Sequence, residues 1–333
     1  MQIVEPKAKY LRLCASIPKK MTTLVAQSTV LVKVGHYKSV ILKVAIYSRV
    51  LESSQQEYIQ LFFDELQKEE IIPVVFEPYF KEIEPHLTLP PTTEKFSDHT
   101  ELTSDIDFII SLGGDGTLLD TVTLVRNKSI PVVGINFGRL GFLASIGRDE
   151  LVDAVKALAR RSYLIDRRTL IHLDSNVPLF DDVPYALNEF AIHKRDTAPM
   201  VKIHTYLNGE LLNTYWADGL ILATPTGSTG YSLSCAGPVV FPDACSLVLT
   251  PIAPHNLNVR PIVIPDNTII SFEVESRSDE IICALDSRRE IVNKNVLLAV
   301  RKETFMLNLV RLNENNFLQT LRNKLSWGLD KRN

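Results

Sequence analysis

One carboxylate set among glycines is the feature of this 333-residue sequence that points most directly to chemistry. Residues 113–117 read GGDGT and follow an apolar segment, residues 108–112. Glycines in such a loop let a phosphate approach backbone N–H groups, and the N-terminus of a following helix adds partial positive charge. A pocket for phosphate alone would not contain a carboxylate, so we expect Asp115 to hold Mg²⁺, to accept a proton, or both. The alternative is a tight turn in which Asp115 caps the next helix.

A second glycine-containing loop follows the next apolar segment, residues 130–135. In open α/β sheets, ligands bind at the carboxyl ends of the strands, where such neighbouring loops meet. We therefore expect this loop to form a second wall of the same cleft. The alternative is a glycine-rich turn that packs against an aromatic side chain. Its notable residues are Asn136, Gly138, Arg139, Gly141 and Phe142.

Two further polar clusters lie in the second half of the chain. Asn188 and Glu189 interrupt an apolar run, residues 186–192, where an uncompensated carboxylate would be costly. Such a pair could bind a sugar diol, or it could satisfy the backbone or lie at an exposed strand edge. Asp218 precedes a strand-like segment, and residues 224–232 then read TPTGSTGYS. In this loop Tyr231 could stack on a base while hydroxyls and amides bind phosphates; a surface loop is the alternative.

The elements that must position these residues change in character along the chain. Apolar segments alternate with amphipathic helical patterns from residue 40 onward, which predicts a doubly wound parallel sheet. Ser54 and Glu57 have the spacing of a capping box, and residues 77–105 are polar and contain prolines, typical of a variable excursion. After residue 162 the segments are β-rich, and Asn208-Gly209 predicts a hairpin. We predict an α/β domain (40–155), a β-rich, mostly antiparallel domain (156–310) and a tail (311–333) that packs back on the first domain.

Composition and charge exclude several classes of protein. Hydrophobic residues make up 45% of the chain and charged residues 23%, which excludes a disordered chain. A net charge of −3 indicates neither a nucleic-acid partner nor a membrane partner. The four scattered cysteines predict a reduced, cytoplasmic protein without a zinc site. Residues 1–39 are basic and are expected to be a disordered extension, or to precede the native start.

The order of these motifs resembles that of the NAD kinase family over about residues 40–310. The GGDG loop alone also occurs in lipid kinases and phosphofructokinase, whereas residues 224–234, joined to the Asn188-Glu189 pair, are far more specific. The resemblance implies transfer of the γ-phosphoryl group of ATP to the 2′-hydroxyl of the adenosine ribose of NAD, giving NADP. It also implies an active site in the cleft between the domains, Mg²⁺ carried with ATP, and a homodimer or homotetramer.

The resemblance also implies roles for individual residues. Asp115 would be the general base, and Gly116 would share its contact with the dinucleotide, while Phe142 would line the pocket. Asn188 and Glu189 would hold a ribose and a base. The phosphate loop would comprise Gly113, Gly114 and Thr117. The other residues expected to contact NAD are Asp218, Thr226, Thr229, Gly230, Tyr231, Ser232, Leu233 and Ser234.

The sequence departs from the family pattern at three positions. Gly230 replaces the usual alanine, Cys235 stands in the turn after Ser234, and Trp216 replaces a residue that is often basic. Because in the family that last residue neighbours the nicotinamide end, the preference for NAD or NADH stays open. The sequence also leaves open whether ATP or polyphosphate is the phosphate donor, how large the oligomer is, and whether NADP(H) inhibits the protein. Two alternative functions are another GGDG-loop kinase, acting on a lipid or sugar, and a non-catalytic dinucleotide-binding regulator.

Overall fold

The computed structural model describes residues 41–138, 141–195, 199–312 and 317–326. The predicted N-terminal extension and Arg139 lie outside these ranges. The described chain forms two compact units, one made of residues 41–167 and 307–326 and the other of residues 168–306. We call them the α/β unit and the β unit. In the described ranges, no helix combines the length and the apolar character needed to cross a membrane.

The α/β unit contains a parallel sheet in the spatial order β3-β2-β1-β4-β5-β6. This order reverses direction between β1 and β4, as in doubly wound folds, so the predicted architecture is confirmed. The strands are buried runs such as FIISL in β4, which is typical of parallel sheets covered on both faces. They are β1 (Lys43–Tyr47), β2 (Ile72–Phe76), β3 (Glu94–Phe96), β4 (Phe108–Leu112), β5 (Val132–Asn136) and β6 (Ile146–Gly147).

Four helices of the α/β unit follow its strands, and their apolar faces are buried. They are α1 (Gln56–Lys68), α2 (Glu77–Ile83), α3 (Asp115–Val125) and α4 (Leu151–Ala159). The predicted capping box at Ser54 is wrong, because a 3-10 turn at Ser53–Gln55 precedes α1 and no side chain caps either element. The expected excursion after residue 77 instead contains α2 and β3. A buried face made of Tyr79, Phe80 and Ile83 explains the helix despite its proline.

The β unit contains two antiparallel groups of strands, which confirms the predicted β-rich region. One group has the order β14-β13-β12-β9-β16-β17, and the other has the order β11-β10-β15-β18. Phe190 of the first group and Phe272 of the second contact each other, with ring centroids 5.8 Å apart. The strands are β7 (Leu164–Ser175), β8 (Tyr185–Ala186), β9 (Glu189–Lys194), β10 (Val201–Leu207), β11 (Glu210–Ala217), β12 (Gly219–Ala223), β13 (Ser246–Ile252), β14 (Ile262–Pro265), β15 (Ile270–Glu275), β16 (Glu280–Leu285), β17 (Arg288–Asn293) and β18 (Leu298–Arg311).

The hairpin predicted at Asn208-Gly209 joins β10 to β11. Both turn residues have positive φ, 50° and 89°, as a two-residue turn with the twist of the flanking strands requires. Two short helices complete the described chain, α5 (Tyr231–Ser234) in the β unit and α6 (Phe317–Leu325) in the α/β unit. The compact units divide inside β7 and inside β18, and the domain limits predicted at residues 155 and 310 stay predictions.

Candidate functional site

The glycine–aspartate loop lies where the strand order of the α/β unit reverses. Gly113 directly follows β4, and Arg49 lies two residues beyond β1, its parallel neighbour. Loops at such a point form the usual ligand crevice of an open α/β sheet. A cavity of about 320 Å³ opens here, and the loops after β1, β4 and β5 all line it. Its lining includes Ser48, Arg49, Gly113, Gly114, Thr117, Asn136 and Gly138.

Two arginines that were not among the predicted site residues line this cavity, together with Glu52. Arg49 is held by both oxygens of Asp120, with Nε–Oδ2 and Nη2–Oδ1 distances of 2.5 and 2.8 Å. Its Nη2 also donates to the Gly116 carbonyl at 3.1 Å, which ties it to the loop. Arg148 lines the cavity as well and lies over the ring of Tyr58, 5.1 Å from its centroid. Guanidinium groups together with the N-terminus of α3 suit a phosphate chain.

The carboxylate of Asp115 is fixed by the loop after β5. Oδ2 accepts from the Phe142 amide at 2.8 Å, and Oδ1 accepts from the amides of Leu143 and Ala144 at 3.1 and 2.9 Å. A carboxylate offers about four acceptor positions, so these bonds leave one, on Oδ2. The group is only half-buried. Asp115 is therefore oriented rigidly and can still accept one hydrogen bond from a ligand.

The side chain of Phe142 faces the C-terminal helix of the same unit. Its ring centroid lies 6.3 Å from that of Phe317, the first residue of α6. On the next turn of α6, Leu321 is buried with 4% exposure, so the helix is anchored in the unit. The amide that holds Oδ2 of Asp115 thus belongs to a residue packed against α6. This contact gives the predicted pocket residue Phe142 a supporting role.

In the β unit, the structure brings the Asn188-Glu189 pair against the loop that contains residues 224–232. A β-carbon at Gly227 would lie 2.1 Å from the Asn188 carbonyl oxygen, so only glycine permits this approach. A β-carbon at Gly230 would lie 3.2 Å from Oε2 of Glu189 and 3.7 Å from Nδ2 of Asn188. The two polar clusters predicted from the sequence are therefore in direct contact in this unit.

Glu189 has an unusual environment for a carboxylate. Its Oε2 is buried and has no hydrogen-bond partner in the described part of the chain. Desolvation and, to a lesser extent, the nearby Asp286 carboxylate raise the pKa of Glu189 to about 8, although the hydrogen bond from the Tyr231 amide opposes the rise. At neutral pH the side chain therefore carries a proton and can donate one hydrogen bond as well as accept others.

Tyr231 and Asp218 both contact side chains at the end of β9. The Tyr231 ring is 38% exposed and stacks on His193, with centroids 5.7 Å apart and an interplanar angle of 24°. Burial lowers the pKa of His193, so the stacked imidazole is neutral. Lys194 pairs with Asp218 at 2.8 Å, which holds that carboxylate beside the strand end. An exposed ring on a rigid support is suited to stacking on a base.

Several hydroxyls of the predicted binding loop face inward instead. The Thr226 hydroxyl accepts from Arg168 at 3.2 Å, and the Ser232 hydroxyl lies 2.8 Å from that of Thr250. Both side chains are buried, so they stabilise the loop, and a direct ligand contact would have to use their backbone groups. Thr229, Gly230 and Leu233 are half-buried, and Ser234 is exposed. Trp216, the departing residue, is half-exposed and stacks on His255, with centroids 4.8 Å apart.

Comparison with known proteins accounts for both units. The family model of the ATP-NAD kinase N-terminal domain matches residues 26–163, and that of the ATP-NAD kinase C-terminal domain matches residues 187–312. The chain belongs to the NAD kinase family. The first range contains Asp115, and the second contains Asn188 and Glu189. The resemblance inferred from the motifs is confirmed, and neither alternative function is favoured.

Individual NAD kinases match nearly over their whole length. The NAD kinase of Cytophaga hutchinsonii is 48% identical over 290 residues, covering 87% of this chain and 99% of that protein. The NAD kinase of Flavobacterium psychrophilum is 45% identical over 294 residues, covering 88% and 100%. Such coverage shows that the family likeness extends through both units.

Two solved structures of similar proteins share the fold. Yeast NADH kinase complexed with NADH matches with a TM-score of 0.80 at 23% identity, covering 88% of this chain and 90% of that chain. An NAD kinase from Archaeoglobus fulgidus in complex with ATP matches with a TM-score of 0.64 at 26% identity, covering 86% and 99%.

Proposed function

We propose that the chain phosphorylates the 2′-hydroxyl of the adenosine ribose of NAD with ATP, giving NADP, and that Asp115 is the general base. The observation that carries this proposal is the state of the Asp115 carboxylate. Three backbone amides orient it, and one acceptor position on Oδ2 is left. It begins the helix whose N-terminal glycines line a cavity with two arginines.

In the proposed reaction, the 2′-oxygen forms a bond to the γ-phosphorus while the bond from that phosphorus to the β–γ bridging oxygen breaks. ADP leaves, and the hydroxyl proton passes to Asp115. Phosphoryl transfer depends mainly on positioning and on neutralising charge. Amides near Gly113 and Gly114, together with Arg49 and Arg148, would neutralise negative charge on the triphosphate. Mg²⁺ would enter as part of the ATP complex.

The dinucleotide would be held by residues of the predicted binding motifs. Asn188 and the protonated Glu189 offer donors and acceptors to a ribose, and Tyr231 offers a face to a base. Gly116 would contact the dinucleotide beside Asp115, and Asp218 would contact it as well. The remaining proposed contacts are Phe142, Thr226, Thr229, Gly230, Ser232, Leu233 and Ser234.

The test is an assay of the purified protein with Mg²⁺, ATP and either NAD or NADH, with enzymatic detection of NADP(H). Parallel arms replace ATP by polyphosphate, and NAD by diacylglycerol or fructose 6-phosphate. We expect NADP(H) in the dinucleotide arms and no product in the lipid and sugar arms. The variant Asp115→Asn should keep NAD affinity and lose about 10²–10⁴-fold of turnover. Near-normal turnover of that variant would exclude Asp115 as the base.

We also propose that the protein is a homodimer or homotetramer and acts in the cytoplasm. The oligomer follows from the family resemblance, and light scattering of the purified chain measures it directly. The compartment is supported by the unpaired thiols of Cys235 and Cys283, which suit reducing conditions. A monomeric mass at assay concentration would contradict the first statement, and secretion of the tagged protein would contradict the second.

A further inference from the structure

Two residues fix all the backbone polar groups of the segment that carries the Asn188-Glu189 pair. Oδ2 of Asp286 accepts from the Leu187 amide at 2.9 Å, and its Oδ1 accepts from the amides of Asn188 and Glu189 at 2.8 and 3.1 Å. The Asp286 amide donates to the Glu189 carbonyl at 3.0 Å. Thr224 binds the other two carbonyls: its hydroxyl donates to that of Leu187 at 2.6 Å, and its amide donates to that of Asn188 at 2.8 Å.

We propose that Asp286 and Thr224 are the positioning residues of the Asn188-Glu189 pair, which sets the geometry with which the pair holds the dinucleotide. This inference rests on the proposed function, and it adds two residues that are not among the proposed ligand contacts. These two residues bind all three backbone amides and all three backbone carbonyls of residues 187–189. A segment held in this way has no backbone freedom left to adapt to its ligand.

The turn that contains Asp286 explains how one carboxylate reaches three amides. Asp286 and Ser287 join β16 to β17 as a two-residue hairpin, and Asp286 has a φ of 51°, which aspartate tolerates. In that turn its side chain faces the start of β9, the neighbour of β16. Arg288, the first residue of β17, donates to the carbonyls of Val183 and Tyr185, which anchors the chain leading to Leu187.

Charge also links Asp286 to Glu189. Burial raises the pKa of Asp286, and the three amide donors and Arg288 oppose that rise. The three amide donors favour the ionised form of Asp286, and its charge raises the pKa of Glu189. The charged and titratable groups that face Glu189 are Asp286, from the β16–β17 turn, and Tyr231, from α5. Removal of the Asp286 charge should therefore lower the pKa of Glu189.

Two variants separate positioning from mere stability. In Asp286→Asn the amide nitrogen faces a backbone donor. In the nearly isosteric Thr224→Val, the bond that the hydroxyl donates to the Leu187 carbonyl and the bond it accepts from the Gly227 amide are lost, while the charge of Asp286 remains. Because hydrogen bonds to a charged group are stronger than those between neutral groups, we expect the KM for NAD to rise about tenfold or more in Asp286→Asn. The KM for ATP should stay within about twofold. Ser287→Ala, an exposed position in the same turn, is the matched control.

The pH dependence of NAD binding distinguishes positioning from a purely structural role, because loss of a structural contact alone would not shift its midpoint. The pH midpoint for NAD binding should shift downward in Asp286→Asn and stay in place in Thr224→Val. Folded variants with wild-type KM for NAD and an unshifted profile would overturn the inference. If Asp286→Asn does not fold, the KM of Thr224→Val decides. If the wild-type chain forms no NADP(H), the proposed function fails, and calorimetric NAD affinities of the same variants still test the positioning role.

Discussion

Gly141 approaches Asp115 so closely that a β-carbon at residue 141 would lie 1.8 Å from Oδ1 of that carboxylate. The same carboxylate accepts hydrogen bonds from the amides of the three residues that follow Gly141 in the chain, beginning at Phe142. The loop after β5 therefore contacts the Asp115 carboxylate in two ways. Three of its amides donate hydrogen bonds to the carboxylate, and Gly141 leaves the space that the carboxylate occupies. Position 141 controls where the proposed base points.

We predict that Gly141→Ala retains the fold and loses turnover. The methyl group would displace the carboxylate by more than about 1 Å, and a misplacement of that size can cost about 10²-fold in rate. Steady-state kcat with ATP and NAD measures the effect. Gly147→Ala is the matched control, since a β-carbon there meets nothing closer than Oε2 of Glu150, at 3.6 Å. Equal kcat in the two variants would contradict the geometry.

Arg49 is predicted to serve ATP rather than the dinucleotide. Its guanidinium lines the cavity, bonds both oxygens of Asp120 and reaches the Gly116 carbonyl. Arg49→Ala should raise the KM for ATP about tenfold or more, because a charge-assisted contact contributes about 1.5–3 kcal/mol, with less change in the KM for NAD. Arg160→Ala, an exposed position at the end of α4, serves as control. A larger effect on NAD than on ATP would reject this assignment.

The raised pKa of Glu189 predicts how stability varies with pH. Between about pH 4.5 and about pH 8 the folded chain keeps a proton that the unfolded chain releases, so rising pH favours unfolding. The slope contributed by this group is at most about 1.4 kcal/mol per pH unit. Thermal unfolding at pH 5.5 and 7.5 should show a smaller difference in Tm for Glu189→Gln than for the wild type. An unchanged difference would show that Glu189 is ionised throughout.

The contact between Phe142 and Phe317 predicts that α6 supports catalysis from a distance. Phe317→Ala should lower kcat several-fold while leaving the KM for NAD and ATP nearly unchanged, because it loosens the residue whose amide holds Asp115. Leu318→Ala, 42% exposed on the same helix, is the control. Identical kcat values for the two variants would remove α6 from the mechanism.

Local patterns were sufficient to locate the elements and motifs of the candidate site. The apolar run ahead of Gly113 predicted both the strand and the loop at its end, and Asn208-Gly209 predicted its hairpin. The polar pair at residues 188–189 was identified because a carboxylate in an apolar run is costly unless it is compensated. Each of these signals is contained within a few consecutive residues, so it can be recognised without knowledge of the tertiary structure.

The supporting residues could not be predicted in this way. Asp286 lies 97 residues from Glu189 and, taken alone, is an ordinary turn residue. Arg49 follows a strand with no motif around it, and only the pairing of β1 with β4 brings it to the GGDG loop. The predicted capping box is wrong because a 3-10 turn precedes α1, and the spacing of Ser54 and Glu57 alone does not reveal that turn.

The α/β unit is discontinuous, since the whole β unit is inserted between its first stretch and residues 307–326. During synthesis the N-terminal stretch leaves the ribosome first, yet Leu309 pairs with Val132 only after the β unit has been made. Phe317 reaches Phe142 later still. The unit that is begun first is therefore completed only after the whole β unit has been made, and the contact of α6 with Phe142 forms after that point.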